Sequence, residues 1–301
     1  MLSILIPTYD YDCLRLVTDL QQQCEELQAE VGAEMFDYEI IVADDAGKNK
    51  AITERNELVE LLPQCRYVKM QANVGRALLC NWLFEEASFE YLLLIDADAE
   101  VCTSDFIRTY WQQRQKADVL VGSIRTPKTA PRGHELRLKY EQAAEKKRSA
   151  SYRNAHTSAN FSTFNVWINH KVTDQHNFDE RCIEYGYEDA LWGLNLVQAG
   201  ISILHIENPL IHTGINSNES FLANSEAALR MLHRLGAPMT DFAGVSIAHQ
   251  KLCRSPFRKL FSGIFTMAAP LMRRNLLSRW PSLLVFQIYK LGYYDQLTLQ
   301  H

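Results

Sequence analysis

Five short runs of mostly apolar residues punctuate the first 122 positions: Leu2–Ile6, Tyr38–Ala43, Arg66–Met70, Tyr91–Ile95 and Asp118–Gly122. An unbroken apolar segment of this length, such as Tyr91-Leu92-Leu93-Leu94-Ile95, reads as a strand buried on both faces of a sheet. Between the runs lie helical patterns. Cys13, Leu16, Val17, Leu20, Cys24 and Leu27 fall on one stripe, and residues 52–62, 76–87 and 104–116 continue the alternation. Strand and helix in turn predict βαβ units, hence an α/β fold with a mostly parallel sheet covered on both faces. Ligands of such sheets bind outside the carboxyl ends of the strands.

Beyond residue 122 the pattern changes. Residues 135–149 read as an exposed helix carrying Arg137, Lys139, Lys146, Lys147 and Arg148, which is ordinarily a solvated face. Ser158–Val166 predicts a strand, Glu188–Ala199 a helix stopped by Gly200, Ile201–Ile206 a further strand, and Ser217–Leu235 a helix. From about Asp241 a helical, basic and amphipathic tail begins. Phe257, Leu260, Phe261, Ile264, Phe265 and Ala268 share one face, flanked by Arg254, Arg258, Lys259, Arg273, Arg274 and Arg279. Such a helix either lies in a membrane interface or packs its stripe onto the main domain, and both readings stay open. The expected organisation is a domain over 1–240, divided near residue 122 into a nucleotide-binding and an acceptor-binding half, followed by a helical extension over 241–301.

Composition narrows the class. With 47% hydrophobic and 22% charged residues over 301 positions, the chain is an ordinary globular one. A net charge of −5 disfavours a nucleic-acid partner, which requires a basic field. The seven cysteines are scattered singly, without a C-x-x-C pair, so neither a zinc knuckle nor a disulfide framework is indicated and a reducing cytoplasm fits best. The opening Met-Leu-Ser-Ile-Leu-Ile-Pro has no basic n-region, so a secretory signal is not expected. No apolar stretch is long enough to span a bilayer.

The chemistry is concentrated at the predicted strand ends. Pro7-Thr8-Tyr9-Asp10 follows the first, Asp44-Asp45-Ala46-Gly47 the second, Gln71-Ala72-Asn73-Val74-Gly75-Arg76 the third and Asp96-Ala97-Asp98 the fourth. Each alone is common turn or cap chemistry; four together at one sheet edge are not. Two carboxylates two residues apart project to the same side, and oxygen ligands of this kind suit Mg²⁺ or Mn²⁺, held by one or two carboxylates plus substrate phosphates. Asn73-Val74-Gly75-Arg76 opens a helix whose free backbone N–H groups, glycine and guanidinium favour an anion.

In their order and spacing these segments, with Asn177-Phe178-Asp179-Glu180-Arg181, Tyr185-Gly186-Tyr187-Glu188-Asp189 and Asn208-Pro209-Leu210-Ile211-His212, resemble the inverting family 2 glycosyltransferases of GT-A fold. The likeness runs from residue 1 to about 235, with one small departure: Ala46-Gly47 stands where the family often has Gly-Ser. The resemblance implies a nucleotide diphosphate sugar lying across the strand ends. Pro7, Thr8, Tyr9, Asp10, Asp45, Asn73, Gly75, Arg76, Asp96 and Ala97 would contact the nucleotide, with Thr8, Asp10 and Asp45 facing the base and a carboxylate accepting from uracil N3–H. Asp98 and His212 would hold the metal, which neutralises the leaving diphosphate. Asp189 would be the general base that deprotonates the acceptor hydroxyl, Glu188 its positioning partner, and Trp192 and Tyr187 acceptor contacts, although core packing is the commoner role for a tryptophan on such a helix. The expected partners are a sugar nucleotide, with uridine favoured over guanosine, and a glycan or lipid-linked glycan acceptor, with peripheral contact to the inner face of the cytoplasmic membrane if the tail is interfacial.

Three other classes are weighed against this. A sugar nucleotidyltransferase should carry a Gly-rich basic loop after the first strand, where this chain has Pro7-Thr8-Tyr9-Asp10-Tyr11. A non-catalytic sugar-nucleotide-binding protein on the same frame need not retain Asp98, Asp189 and His212, all of which are present. A dinucleotide oxidoreductase is poorer still, since no G-x-G-x-x-G follows Leu2–Ile6. Acceptor specificity is expected to reside in the loops between Pro127 and Val172.

Overall fold

The computed structural model describes residues 1–157 and 160–299. They form two compact units: Met1–Thr126 with Lys146–Ile183 and Glu188–Gly214, and Pro127–Glu145 with Glu184–Tyr187 and Ile215–His301. The division is therefore not the expected break near residue 240. The second unit has a core of its own, in which Leu136, Phe221 and Leu222 pack with Phe265, Leu276, Phe286 and Tyr289. The tail is thus inseparable from the helix Asn218–Leu235 and from Glu135–Ala144, whose Leu136 is fully buried, in contrast to the wholly exposed helix expected there.

The first unit is built on one sheet. Its strands are β1 (Leu2–Thr8), β2 (Tyr38–Asp44), β3 (Cys65–Lys69), β4 (Tyr91–Ile95), β5 (Ala99–Val101), β6 (Val119–Arg125), β7 (Asn165–Asn169) and β8 (Ile203–His212). Their order is β3-β2-β1-β4-β7-β6-β8-β5. Pairings β1–β2, β1–β4, β2–β3 and β6–β8 are parallel, while β7 runs antiparallel to both β4 and β6, and β5 antiparallel to β8. The all-apolar runs account for the centre: β1 is buried throughout and so is β4, as expected of strands covered on both faces. Because β7 reverses twice, β6 and β8 run in the same direction as β4, so His212 at the end of β8 emerges at the same edge as Asp96.

Three local features depart from the sequence reading. The strand expected over Ser158–Val166 lies instead at Asn165–Asn169, and residues 158 and 159 are outside the described ones. The strand expected over Ile201–Ile206 runs on through Asn208-Pro209 to His212 as β8, with a register shift against β6 between Val121 and Ser123, the kind of irregularity at which a strand tolerates proline. Gly122 beside it is required by packing, because a Cβ there would come 1.6 Å from Asn165 Oδ1. Arg153, in the short helix Ala150–Asn154, is buried; its guanidinium donates to the carbonyls of Val121, Gly122 and Ile206 and so fastens that helix to the sheet. His205 next to it is pushed down to about 4 by burial and by the Arg153 charge.

Candidate active site at the carboxyl ends of the strands

The ends of β1 and β2 form a ledge. Asp10 adopts φ 51, and its Oδ1 accepts from Asn49 N at 2.7 Å, while Gly47 N donates to Asp44 Oδ1 at 2.6 Å. Gly47 is needed because a Cβ would meet both carboxylates at 2.9 Å. Thr8 is buried with its hydroxyl spent on Tyr11 O (3.0 Å), Pro7 lies inside β1, and Tyr9 is exposed. Asp45, expected to face the base, is engaged by the neighbouring loop. It is buried, and its two carboxylate oxygens accept from Val74 N (2.7 Å) and Gly75 N (2.9 Å), with Asn73 Nδ2 donating to its carbonyl. The side chain ties the loop before the helix Arg76–Glu86 to β2, and Gly75, at φ 86, makes the turn possible. Of the ledge carboxylates, Asp10 remains half-exposed.

Arg76 opens that helix and turns into the site. Its Nη2 donates to Asp96 Oδ1 at 2.5 Å and to Thr163 Oγ1 at 3.0 Å, and Phe178 lies 6.0 Å from the guanidinium carbon. Nη1 is buried and has no hydrogen-bond partner among the described residues, which leaves both its N–H donors for an anion. Burial raises the Asp96 carboxyl above its ordinary range, against the opposing pull of Arg76, and the nearby Asp98 adds to the rise. Ala97 is buried between the two aspartates.

Asp98 and His212 meet across the ends of β4 and β8. His212 Nε2 lies 2.9 Å from Asp98 Oδ2, and the edge of Phe164 packs against the imidazole at 5.4 Å. Thr213 N and Oγ1 both donate to Asp98 O at 2.8 Å, and Tyr11 OH joins Thr213 Oγ1 at 2.9 Å. Gly214 is the cradle, since a Cβ there would come 2.0 Å from Asp98 Oδ2. Sequence reading missed Thr163, Thr213 and Gly214; only the small residues after His212 hinted at a close approach. Among the described residues no group of three or more His, Cys, Asp or Glu side chains gathers in a metal-binding cluster. The donor set nevertheless fits a hard divalent ion: one carboxylate and one imidazole, with room in the coordination sphere for substrate phosphates.

Glu188 and Asp189 begin the helix Glu188–Gln198, where a first-turn carboxylate also complements the helix dipole. Asp189 Oδ1 accepts from Ala190 N at 2.7 Å. Burial, and after it the Glu188 charge, pushes the Asp189 carboxyl up to about 7; Arg76 opposes the rise and Asp96 adds to it. Three elements, the helix Arg76–Glu86, the end of β4 and the helix Glu188–Gln198, thus bring Arg76, Asp96, Glu188 and Asp189 into one electrostatic cluster. Trp192, one turn on, takes the core-packing role and not that of an exposed platform. It is fully buried, stacked on Phe178 at 4.7 Å and edged by Phe161 at 5.7 Å, with its indole N–H on His176 O at 2.8 Å. Gly193 lets Phe161 that close. Tyr187 belongs to the second unit, at φ 69, and lines a cavity of about 490 Å³ there with Tyr140, Leu229 and Lys290.

The sequence model of glycosyl transferase family 2 matches residues 3–176, more than half of the chain. The chain belongs to glycosyl transferase family 2. No curated protein matches it. Among solved structures, the mannosyltransferase PcManGT from Pyrobaculum calidifontis, in complex with GDP-Man and Mn²⁺, is 12% identical with a TM-score of 0.55, over 99% of this chain and 86% of that one. S. aureus TarS is 16% identical with a TM-score of 0.50 over 77% of this chain, which matches only 39% of the length of TarS. A TarS 1–349 fragment in complex with UDP-GlcNAc gives the same identity and TM-score, over 66% of that fragment. At these identities the likeness concerns fold, and the fold is the GT-A transferase architecture that the motif order implied. In this family 2 transferase Asp189 and His212 lie beyond the matched segment.

Proposed function

We propose that this chain transfers a sugar from a nucleotide diphosphate sugar, a uridine diphosphate sugar in the first instance, to a hydroxyl of a glycan or glycolipid acceptor, with inversion at the anomeric carbon. The observation that carries the reading is the grouping of Asp98, His212, Arg76, Asp96 and Asp189 at one sheet edge, with the Asp189 carboxyl pushed up to about 7. The ledge of Thr8, Tyr9 and Asp10 seats the nucleoside, and the half-exposed Asp10 carboxylate accepts the N3–H of uracil. Arg76 Nη1 and the N-terminus of its helix meet the diphosphate. Asp98 and His212 would hold Mn²⁺ or Mg²⁺, a cation that would supply charge neutralisation for the diphosphate leaving group. The neighbours with GDP-Man and Mn²⁺ and with UDP-GlcNAc support both donor class and metal.

Asp189 takes the acceptor proton as the acceptor oxygen attacks the anomeric carbon and the bond to the diphosphate oxygen breaks. One base on the face opposite the leaving group suffices for such a displacement. Glu188 keeps that base oriented and its carboxyl high. The test is a panel of UDP- and GDP-sugars assayed for nucleotide diphosphate release with Mn²⁺ and with chelator. Release from a UDP-sugar that stops on chelation supports the proposal; release from GDP-sugars alone overturns the donor assignment, and release unaffected by chelator overturns the metal.

A further inference from the structure

We propose that the outer face of the helix Arg258–Leu276, continued by Trp280 and Leu284, is a docking surface for an anionic lipid bilayer. Phe257, Leu260, Ile264, Met267 and Leu271 are 67%, 60%, 55%, 82% and 69% exposed. Spaced 3, 4, 3 and 4 residues apart, they fall within about 80° of arc on a helix that turns roughly 100° per residue. The stripe is rotated from the one expected from sequence, in which Phe265 was included. Phe265 and Leu276 are buried in the core of the second unit, so the helix is apolar on two opposite faces, and its own core already uses the other one. Trp280 and Leu284 add exposures of 73% and 70% just beyond the helix. An exposed apolar stripe of this kind along one helix face marks an interaction surface.

Charge selects the occupant. Between Asp241 and Asp295 the chain has eight Lys and Arg residues and no Asp or Glu, although the whole chain carries −5. Arg258 is spent on Asp295 and Arg273 on Glu226, but Lys251, Arg254, Lys259, Arg274 and Arg279 are exposed. Arg279 lies 5.7 Å from the Trp280 ring, a pairing of cation and indole suited to the headgroup region. A second copy docking on the same face would set these cations against one another. A bilayer of anionic lipid instead receives the apolar stripe and neutralises the basic flank. No helix among the described residues is long and apolar enough to cross a membrane, so the helix would lie in the plane of the interface.

The test is co-sedimentation of the full chain with vesicles of phosphatidylcholine alone and with about 30% phosphatidylglycerol, a density of anionic lipid that attracts juxtaposed basic residues. The wild type is expected to bind the anionic vesicles on the order of tenfold more tightly than the neutral ones and to weaken as salt screens the attraction. Ile264→Glu combined with Met267→Glu should cut binding by about tenfold or more, with thermal unfolding unchanged because both side chains point to solvent. If that pair perturbs the fold, Leu260→Gln with Leu271→Gln replaces it. Equal binding to neutral vesicles, no binding at all, or full binding by the folded variants overturns the proposal. A concentration-dependent dimer that the variants abolish would assign the face to a second copy and overturn it as well.

Discussion

A carboxyl pushed up to about 7 is a better proton acceptor than a solvated aspartate, and it also costs stability once ionised. Because the folded Asp189 binds its proton more tightly than the unfolded one, its stabilising contribution is complete below the ordinary carboxylate range and is lost as pH rises toward about 7. Turnover should therefore fall as pH drops below about 7, and Asp189→Asn should raise the thermal midpoint at pH near 8 while removing that acid limb. At the metal pair, Asp98→Ala should abolish the Mn²⁺ dependence of nucleotide binding, checked by calorimetry with and without chelator. Trp192→Ala should destabilise by about 3–5 kcal/mol, measured by denaturant unfolding, because a fully buried indole leaves a cavity. Asp96 and Asp98 were legible in sequence because they adjoin an unmistakable strand. The pairing of Arg76 with Asp96 and the seating of Asp45 on Val74 and Gly75 were not, since each joins segments that only the sheet order brings together. Trp192 packs in the core, as is usual for a tryptophan on a helix; an aromatic near an acidic pair on one helix can point to either face, and tertiary packing decides which.

At the scale of elements, the long apolar runs were read almost to the residue, Tyr91–Ile95 without any shift. What escaped were pieces whose existence depends on neighbours. β5 is three residues long and exists by pairing with β8; β8 extends through a proline because the ladder is already irregular there; β7 inserts antiparallel where a continued parallel sheet was expected. The tail helices were recognised as amphipathic, but their core face could not be told from the outer one by spacing alone. Their packing carries a consequence. A chain ended near residue 240 loses Phe265, Leu276, Phe286 and Tyr289 from the core they share with Leu136, Phe221 and Leu222, so circular dichroism and proteolysis should show the helix Asn218–Leu235 frayed, not intact.

Over the whole molecule, the family, the GT-A frame and the transferase class follow from motif order and from the match over residues 3–176, while the chemistry follows from side chains gathered at one edge of the sheet. The acceptor-side loops carried no comparable signal, because loop sequences obey no periodicity from which a partner could be read. The reading turns on one residue. Wild type and Asp189→Asn should be compared in Mn²⁺-dependent nucleotide diphosphate release, water standing in for the acceptor, alongside the donor Kd of each. The isosteric amide retains shape but accepts no proton, so release should fall on the order of 10²–10⁴-fold with donor Kd unchanged within about twofold. A variant that keeps more than about a tenth of wild-type turnover would contradict the assignment of Asp189 as the base.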